Sequence, residues 1–323
     1  MIRYRFGQDD VLRTRFAVSP LFEATASVAA LRDPAGHSLH LRWIRTARGL
    51  LGDTDLSMLD ALVSDRGRYT PDFIAPPPES PLPDVHAEIE RVGRTPAAQV
   101  RREIGQLAGG GPVAAPLQPL VEDPRRGLRV LVEQLRRYWA LAIEPFWERI
   151  RATLEDDIAH RARLLTAGGP IEVFGDLHPQ ARWADRALLV DRPHEAEVDL
   201  GGRGLQLVPS VFIWPTVGTL LDPPWQPALI YPPRGIGLLW EPEHRDDGVL
   251  AELLGARRAR ILALLDREAS TTALARRLHA SPAGVSEHLG VLRRAGLVRG
   301  RRDGRTVLYA RTAAGDALLR GAS

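Results

Sequence analysis

Residues 271–310 read TTALARRLHASPAGVSEHLGVLRRAGLVRGRRDGRTVLYA, and the spacing of their apolar positions decides how the C-terminal end of this chain folds. Ser270 and Thr271 offer side-chain oxygens to the free amides of a helix starting at Thr272, in which Leu274 and Leu278 share a face. His279-Ala280 reads as a tight turn. Ser281 is then an N-cap and Pro282 a first helical residue, opening a second helix whose Val285, Leu289 and Leu292 fall at i, i+4 and i+7. The complementary face carries Ala283, Gly284, Ser286, Glu287, His288 and Arg293. Just upstream, Ala256–Leu265 reads as a further helix with Ile261, Leu262 and Leu265 turned inward. Two short helices about a tight turn form a helix-turn-helix. Its first member braces the second, which presents its N-terminal residues to base edges in a major groove.

Ala295-Gly296 closes the second helix, and Leu297-Val298 begins a strand that returns as Thr306–Tyr309 across Asp303-Gly304, a strong hairpin dipeptide. Arg299, Arg301, Arg302 and Arg305 lie about this turn. Their mutual repulsion is tolerable in water and becomes an asset beside phosphates, because each neutralised phosphate releases counterions. The wider charge distribution agrees. Residues 1–255 hold 29 Arg against 35 Asp and Glu, a balance of −6, whereas residues 256–323 hold 14 Arg against 5, a balance of +9. No Lys occurs, so every basic side chain is a guanidinium suited to bidentate phosphate and guanine contacts. Double-stranded DNA is the expected partner of this end, through Thr272, the helix face just named and the arginine ribbon.

The stretch from Thr272 to Tyr309 resembles the winged-helix domain of ArsR-type repressors. The resemblance implies a homodimer paired through the first and last helices of the domain, which binds an inverted repeat at a promoter and represses it. It also implies that Ser281, Ala283, Gly284, Ser286, Glu287 and His288 occupy recognition-helix positions, and Arg301, Arg302 and Arg305 wing positions. Two departures limit what carries over. Metal-sensing members use Cys pairs, or His and carboxylates on the terminal helix, whereas this chain has no Cys and 312–323 has no His. The second departure is the long N-terminal extension. Its PDFIAPPP (71–78) and LVPSVFIWP (207–215) runs resemble the N-terminal half of long regulators from Arg-rich, high-GC bacteria, a likeness that brings no assigned ligand or reaction.

A chain of 323 residues divides most simply into an N-terminal domain over 1–246, supplying dimer contacts and ligand response, and a winged helix-turn-helix domain over 247–323. The charged start MIRYRFGQDD and the lack of a long apolar run argue against a signal peptide or membrane span, so a cytoplasmic location is expected. The absence of Cys excludes disulfides and thiol switches. In the N-terminal region Ile2–Phe6 reads as an edge strand, and 21–31, 40–50 and 56–63 have helical spacing. The proline run 74–83 reads as an extended surface linker. Helix 96–108 and a loop over 109–124 lead into the longest apolar stripe, Leu128 to Ile158, which Pro145 either kinks or restarts. From Ile171 to Trp240 short apolar segments at 187–190, 204–208, 211–214, 228–231 and 237–240 read as antiparallel strands. The fold class is therefore α+β: a mainly helical N-terminal domain with a small antiparallel sheet, then the winged helix.

Phe212, Trp214, Trp225, Tyr231 and Trp240 crowd into the strand region and could wall an apolar small-molecule pocket, with an ordinary sheet core as the plainer reading. The pairs His37/His40 and Asp176/His178 fall short of a metal site, which needs three or four converging groups. No nucleophile elbow, phosphate loop or zinc-protease helix occurs, and Gly201-Gly-Arg-Gly204 reads as a hairpin turn. The chain is accordingly expected to be a regulator rather than an enzyme, without a cofactor. Two other readings are a winged helix that docks an acidic protein partner, and an enzymatic N-terminal domain fused to a DNA-binding tail.

Overall fold

The computed structural model describes residues 1–63, 69–192, 195–221, 225–240, 247–265, 268–278, 280–303 and 306–321. It divides into a unit over Met1–Ile236 and a second over Gly237–Ser323. The first unit opens β1 (Ile2–Arg5), α1 (Gln8–Arg13), β2 (Arg15–Phe16), α2 (Pro20–Arg32), α3 (Leu41–Leu51) and α4 (Ser57–Leu62). Helices α5 (Val85–Gly93), α6 (Ala97–Ala108), α7 (Gln118–Glu122), α8 (Pro124–Tyr138), α9 (Glu144–Gly168) and α10 (Pro170–Gly175) follow. It closes with β3 (Ala181–Ala184), β4 (Ala187–Val190), β5 (Ala196–Asp199), β6 (Gln206–Pro209), β7 (Gly218–Leu220) and β8 (Ala228–Tyr231). No helix among the described residues is long and apolar enough to cross a membrane.

The strands build two four-stranded mixed sheets, ordered β3-β4-β1-β5 and β2-β6-β8-β7. That corrects the expectation of one small antiparallel sheet: β1 runs parallel to β5, and β6 runs parallel to both β2 and β8. It also moves Ile2–Arg5 from an edge to the interior of its sheet. Ile2 and Tyr4 are fully buried while Arg5 is exposed, an alternation that edge and interior strands share; the interior position comes from pairing with β4 on one side and β5 on the other. The Tyr4 hydroxyl donates to Ala228 O at 3.2 Å, tying the first sheet to β8 of the second, and one apolar core containing Tyr4, Phe174, Leu188, Leu207 and Leu229 serves both. Two expected strands are absent. Residues 211–214 form turns, and 236–238 a 3₁₀ turn.

Gly201–Gly204 joins β5 to β6, so it links the two sheets rather than closing a hairpin. Gly204 has φ of 72°, and a Cβ there would lie 2.4 Å from the Arg13 backbone carbon. Its amide donates to Asp10 Oδ1 at 2.9 Å, so a protein carboxylate already occupies the acceptor position a bound phosphate would need. The proline run is likewise packed rather than a surface linker. Pro76 and Pro78 are buried, Pro78 O accepts from Gln206 Nε2 at 2.8 Å, and Pro81 O accepts from Val18 N at 2.8 Å. Proline lacks a donor, so these carbonyls bond outward to side chains and a neighbouring segment.

The long apolar stripe splits at the proline. A π turn over Trp139–Ile143 separates α8 from α9, and Pro145 stands in the first turn of α9, where a missing N–H is harmless. The Trp43 indole donates to Ala142 O at 2.9 Å inside that turn. On the inner face of α9, the buried Asp157 accepts from Arg161 Nε at 2.8 Å, the Tyr231 hydroxyl at 2.8 Å and Arg234 N at 3.1 Å. Arg161 is only 1% exposed, with its guanidinium 4.6 Å from the Tyr231 ring centroid.

Two buried carboxyls hold the start of α2. Glu88 accepts from Ser19 Oγ at 3.0 Å and Leu21 N at 2.9 Å, and Glu23 accepts from Val211 N at 2.9 Å. Burial, outweighing those hydrogen bonds, pushes Glu23 up to about 8 from its ordinary 4.5. The folded protein therefore keeps a proton that the unfolded chain releases. The resulting stability is complete below the unfolded value and falls by about 1.4 kcal/mol per pH unit until the folded value is passed. Glu23→Gln removes this titration while keeping the shape. Its unfolding free energy should gain on the parent's as pH rises from 5 to 8, measured by urea titration at both ends, and a gap that stays constant across that range would disprove the assignment.

Candidate nucleic-acid interface

The second unit holds α11 (Asp247–Leu254), α12 (Ala256–Leu264), β9 (Ala269–Ser270), α13 (Thr271–Arg277), α14 (Pro282–Arg294), β10 (Val298–Asp303), β11 (Thr306–Arg311) and α15 (Ala313–Gly321). Ile261, Leu262, Leu265, Leu274, Leu278, Val285, Leu289, Leu292 and Val298 form its core. Both helix-turn-helix members are capped as their sequences dictate. Ser270 Oγ accepts from Ala273 N at 3.1 Å, and Ser281 Oγ accepts from Gly284 N at 3.2 Å with Pro282 in the first turn.

Burying Val285, Leu289 and Leu292 leaves Ala283, Ser286, Glu287, Arg293 and Arg294 exposed along α14. Ser281, Gly284 and His288 are half-buried on the flanks, and Thr272 is exposed in the first turn of α13. Glu287 places a carboxylate on this face, a group that repels phosphates and can accept from a cytosine amino group. Arg294 shares the exposed end with Arg293 and is not marked out by the sequence pattern of the face, although its spacing of eleven from Ala283 is helical.

The ribbon pairs β10 with β11, Arg299 opposite Ala310, Arg301 opposite Leu308 and Arg302 opposite Val307. Strand alternation divides the arginines: Arg299 and Arg301 share one face, while Arg302 falls on the other with the buried Val298. All three are exposed. Gly304 and Arg305 lie outside the described residues. A third strand, β9, pairs with β11 through Ala269 and Ser270, a segment that in sequence shows only its capping role. Arg301 Nη2 lies 3.0 Å from Glu268 Oε2 in an exposed ion pair, an interaction worth about 0–1 kcal/mol that a phosphate could replace. The root of the ribbon is fixed more firmly. Arg311 reaches Asp316 Oδ1 at 2.7 Å and the last-turn carbonyls of Leu262 and Ala263 at 3.1 Å, capping α12 with a cation where its dipole favours one.

The five aromatic residues do not converge. Phe212 packs on Trp43 and His40, with ring centroids 4.5 and 4.8 Å away, and it lines a cavity of about 780 Å³ in the first unit that the other four do not line. Tyr231 is committed to Asp157, Trp225 lies 5.8 Å from the Arg91 guanidinium, Trp214 precedes a cis Pro215, and Trp240 falls in the second unit. His37 and His40 have ring centroids 6.4 Å apart. Asp176 lies beside His160, Arg161 and Arg234, while His178 Nδ1 accepts from Gln180 N. No group of three His, Asp or Glu among the described residues is arranged to hold a metal.

Residues 257–301 match the family model described as a helix-turn-helix domain, and residues 94–236 match a family of unknown function, DUF5937. A search of curated proteins returns no match. The solved structure of reduced HlyU from Vibrio cholerae N16961 is 35% identical over 24% of this chain and 82% of its own, with a TM-score of 0.21.

Proposed function

From a DNA-binding transcription regulator whose C-terminal unit is an ArsR-type helix-turn-helix domain behind a DUF5937 region, we propose a cytoplasmic homodimeric repressor that reads a palindromic operator. The observation that carries this is the exposed face of α14, capped at Ser281 and accompanied by exposed arginines on the neighbouring ribbon. In this reading Ser286 and Glu287 meet base edges, and Arg299, Arg301 and Arg302 meet phosphates. Two copies of the helix set the half-site spacing. The first unit acts as the ligand-responsive part, since an effector favouring one helix spacing shifts the population that binds DNA.

Quantitative footprinting on the upstream region of the gene tests the reading. Replacing Arg301 and Arg302 together by Ala should weaken binding to every duplex alike, and should flatten the plot of log affinity against log salt by about 0.9 for each phosphate no longer neutralised. An unchanged slope would remove the ribbon from the interface. Ser286→Ala should instead change which operator variants are preferred, at a cost of about 1–3 kcal/mol where the hydroxyl bonds to a base edge. Identical preferences would remove Ser286 from the reading surface.

A further inference from the structure

The cavity of about 780 Å³ in the first unit lies within the range of about 300–1,000 Å³ typical of small-molecule sites. Its existence follows from α2, which turns the small side chains of Ala26 and Ala29 toward it where larger residues would fill the space. Further apolar wall comes from Phe22 of α2, the chain around Ile74, Phe212, and β7 and β8 through Leu220 and Ile230.

Arg192 stands in the same wall and is half-buried. Its Nη1 donates to Val217 O at 2.8 Å, and its Nε is buried without a hydrogen-bond partner. Burial weighs against its charge, and the group acting on it is the Tyr4 phenol, which burial keeps neutral, rather than a carboxylate. Asp72 and Asp191 also line the cavity, but no ion pair joins either to Arg192. A guanidinium partly removed from water, with no carboxylate paired to it among the described residues, gains from an anion supplied from outside.

We infer that this cavity binds an amphipathic carboxylate, its acid group paired with Arg192 and its apolar body lying along Ala26, Ile74, Leu220 and Ile230. The inference deepens the effector role proposed above and rests on it for its regulatory consequence. Its test uses no DNA, so a failed titration and a failed operator assay are told apart.

Isothermal titration of the full chain with decanoate, 2-naphthoate and decanol, each below its aggregation limit, reads the site directly. At least one acid should bind tenfold or more tightly than the alcohol, the better acid showing whether the wall takes a chain or a ring. Arg192→Gln should erase that preference, and Ala29→Trp, which projects an indole into the cavity from α2, should weaken binding of acid and alcohol together. Absence of binding by both acids, equal binding of acid and alcohol to the parent chain, or an Arg192→Gln variant that keeps its acid preference would overturn the inference. If Arg192→Gln does not fold, the acid-over-alcohol preference of the parent chain decides alone.

Discussion

Leu289→Ala is expected to destabilise the second unit by about 2–5 kcal/mol and to abolish operator binding in the same step. Leu289 is fully buried and sits between Val285 and Leu292 on the inner face of α14, packed in the core that also holds Leu274 of α13 and Ile261 of α12. Truncating it removes both the apolar area and the packing that fixes α14 against its brace. A loosened α14 cannot hold Ser286 and Glu287 in register with base edges, so stability and recognition fail together. Hydrogen exchange of the α13 and α14 amides, followed alongside operator affinity, checks this. Leu289→Met, which conserves volume, should cost less than about 1.5 kcal/mol and retain binding. Unchanged exchange in the alanine variant would show that Leu289 does not hold the helix pair together.

Asp157→Ala should be the most damaging change in the first unit, at about 3–5 kcal/mol. The substitution leaves the Arg161 guanidinium buried beside Tyr231 without its 2.8 Å partner, and also strips the acceptor from the Tyr231 hydroxyl and Arg234 N. Asp176, 3.6 Å from Arg161 Nη1 but 45% exposed, offers only partial compensation, which draws the expected loss toward the lower end. Replacing both members, Asp157→Leu with Arg161→Met, should be much milder, because no buried charge remains. Chemical denaturation of the single and double variants beside the parent chain distinguishes an isolated charge from a change in packing volume. A double variant as unstable as Asp157→Ala would mean that packing rather than charge dominates.

How much of this was legible in the sequence depends on how local the signal is. The helix-turn-helix could be read from residue types alone, because Ser281-Pro282, the Val285/Leu289/Leu292 spacing and the ribbon turn each act within a few residues. The pairing of the first unit could not. Parallel partners such as β1 with β5 are almost two hundred positions apart, and a four-residue apolar strand reads the same whichever neighbour it takes. Packing of the proline run was hidden for a related reason, since its acceptors bond to Gln206 and Val18, far away in the chain. The nearness of the five aromatic residues in sequence does not decide between a pocket wall and separate packing positions. Trp225 and Tyr231 turn to Arg91 and Asp157, and of the five only Phe212 lines the cavity, whose other walls come from segments far away in the chain such as α2 and the stretch around Ile74.

The binding isotherm of the full chain on a duplex from its own upstream region, repeated from low to physiological salt beside a scrambled duplex, tests the assignment of DNA binding most directly. Binding should be tighter to the upstream duplex at every salt concentration and should fall steeply as salt rises, with Arg301 and Arg302 accounting for part of that slope. A chain that ignores both duplexes even at low salt would contradict the assignment.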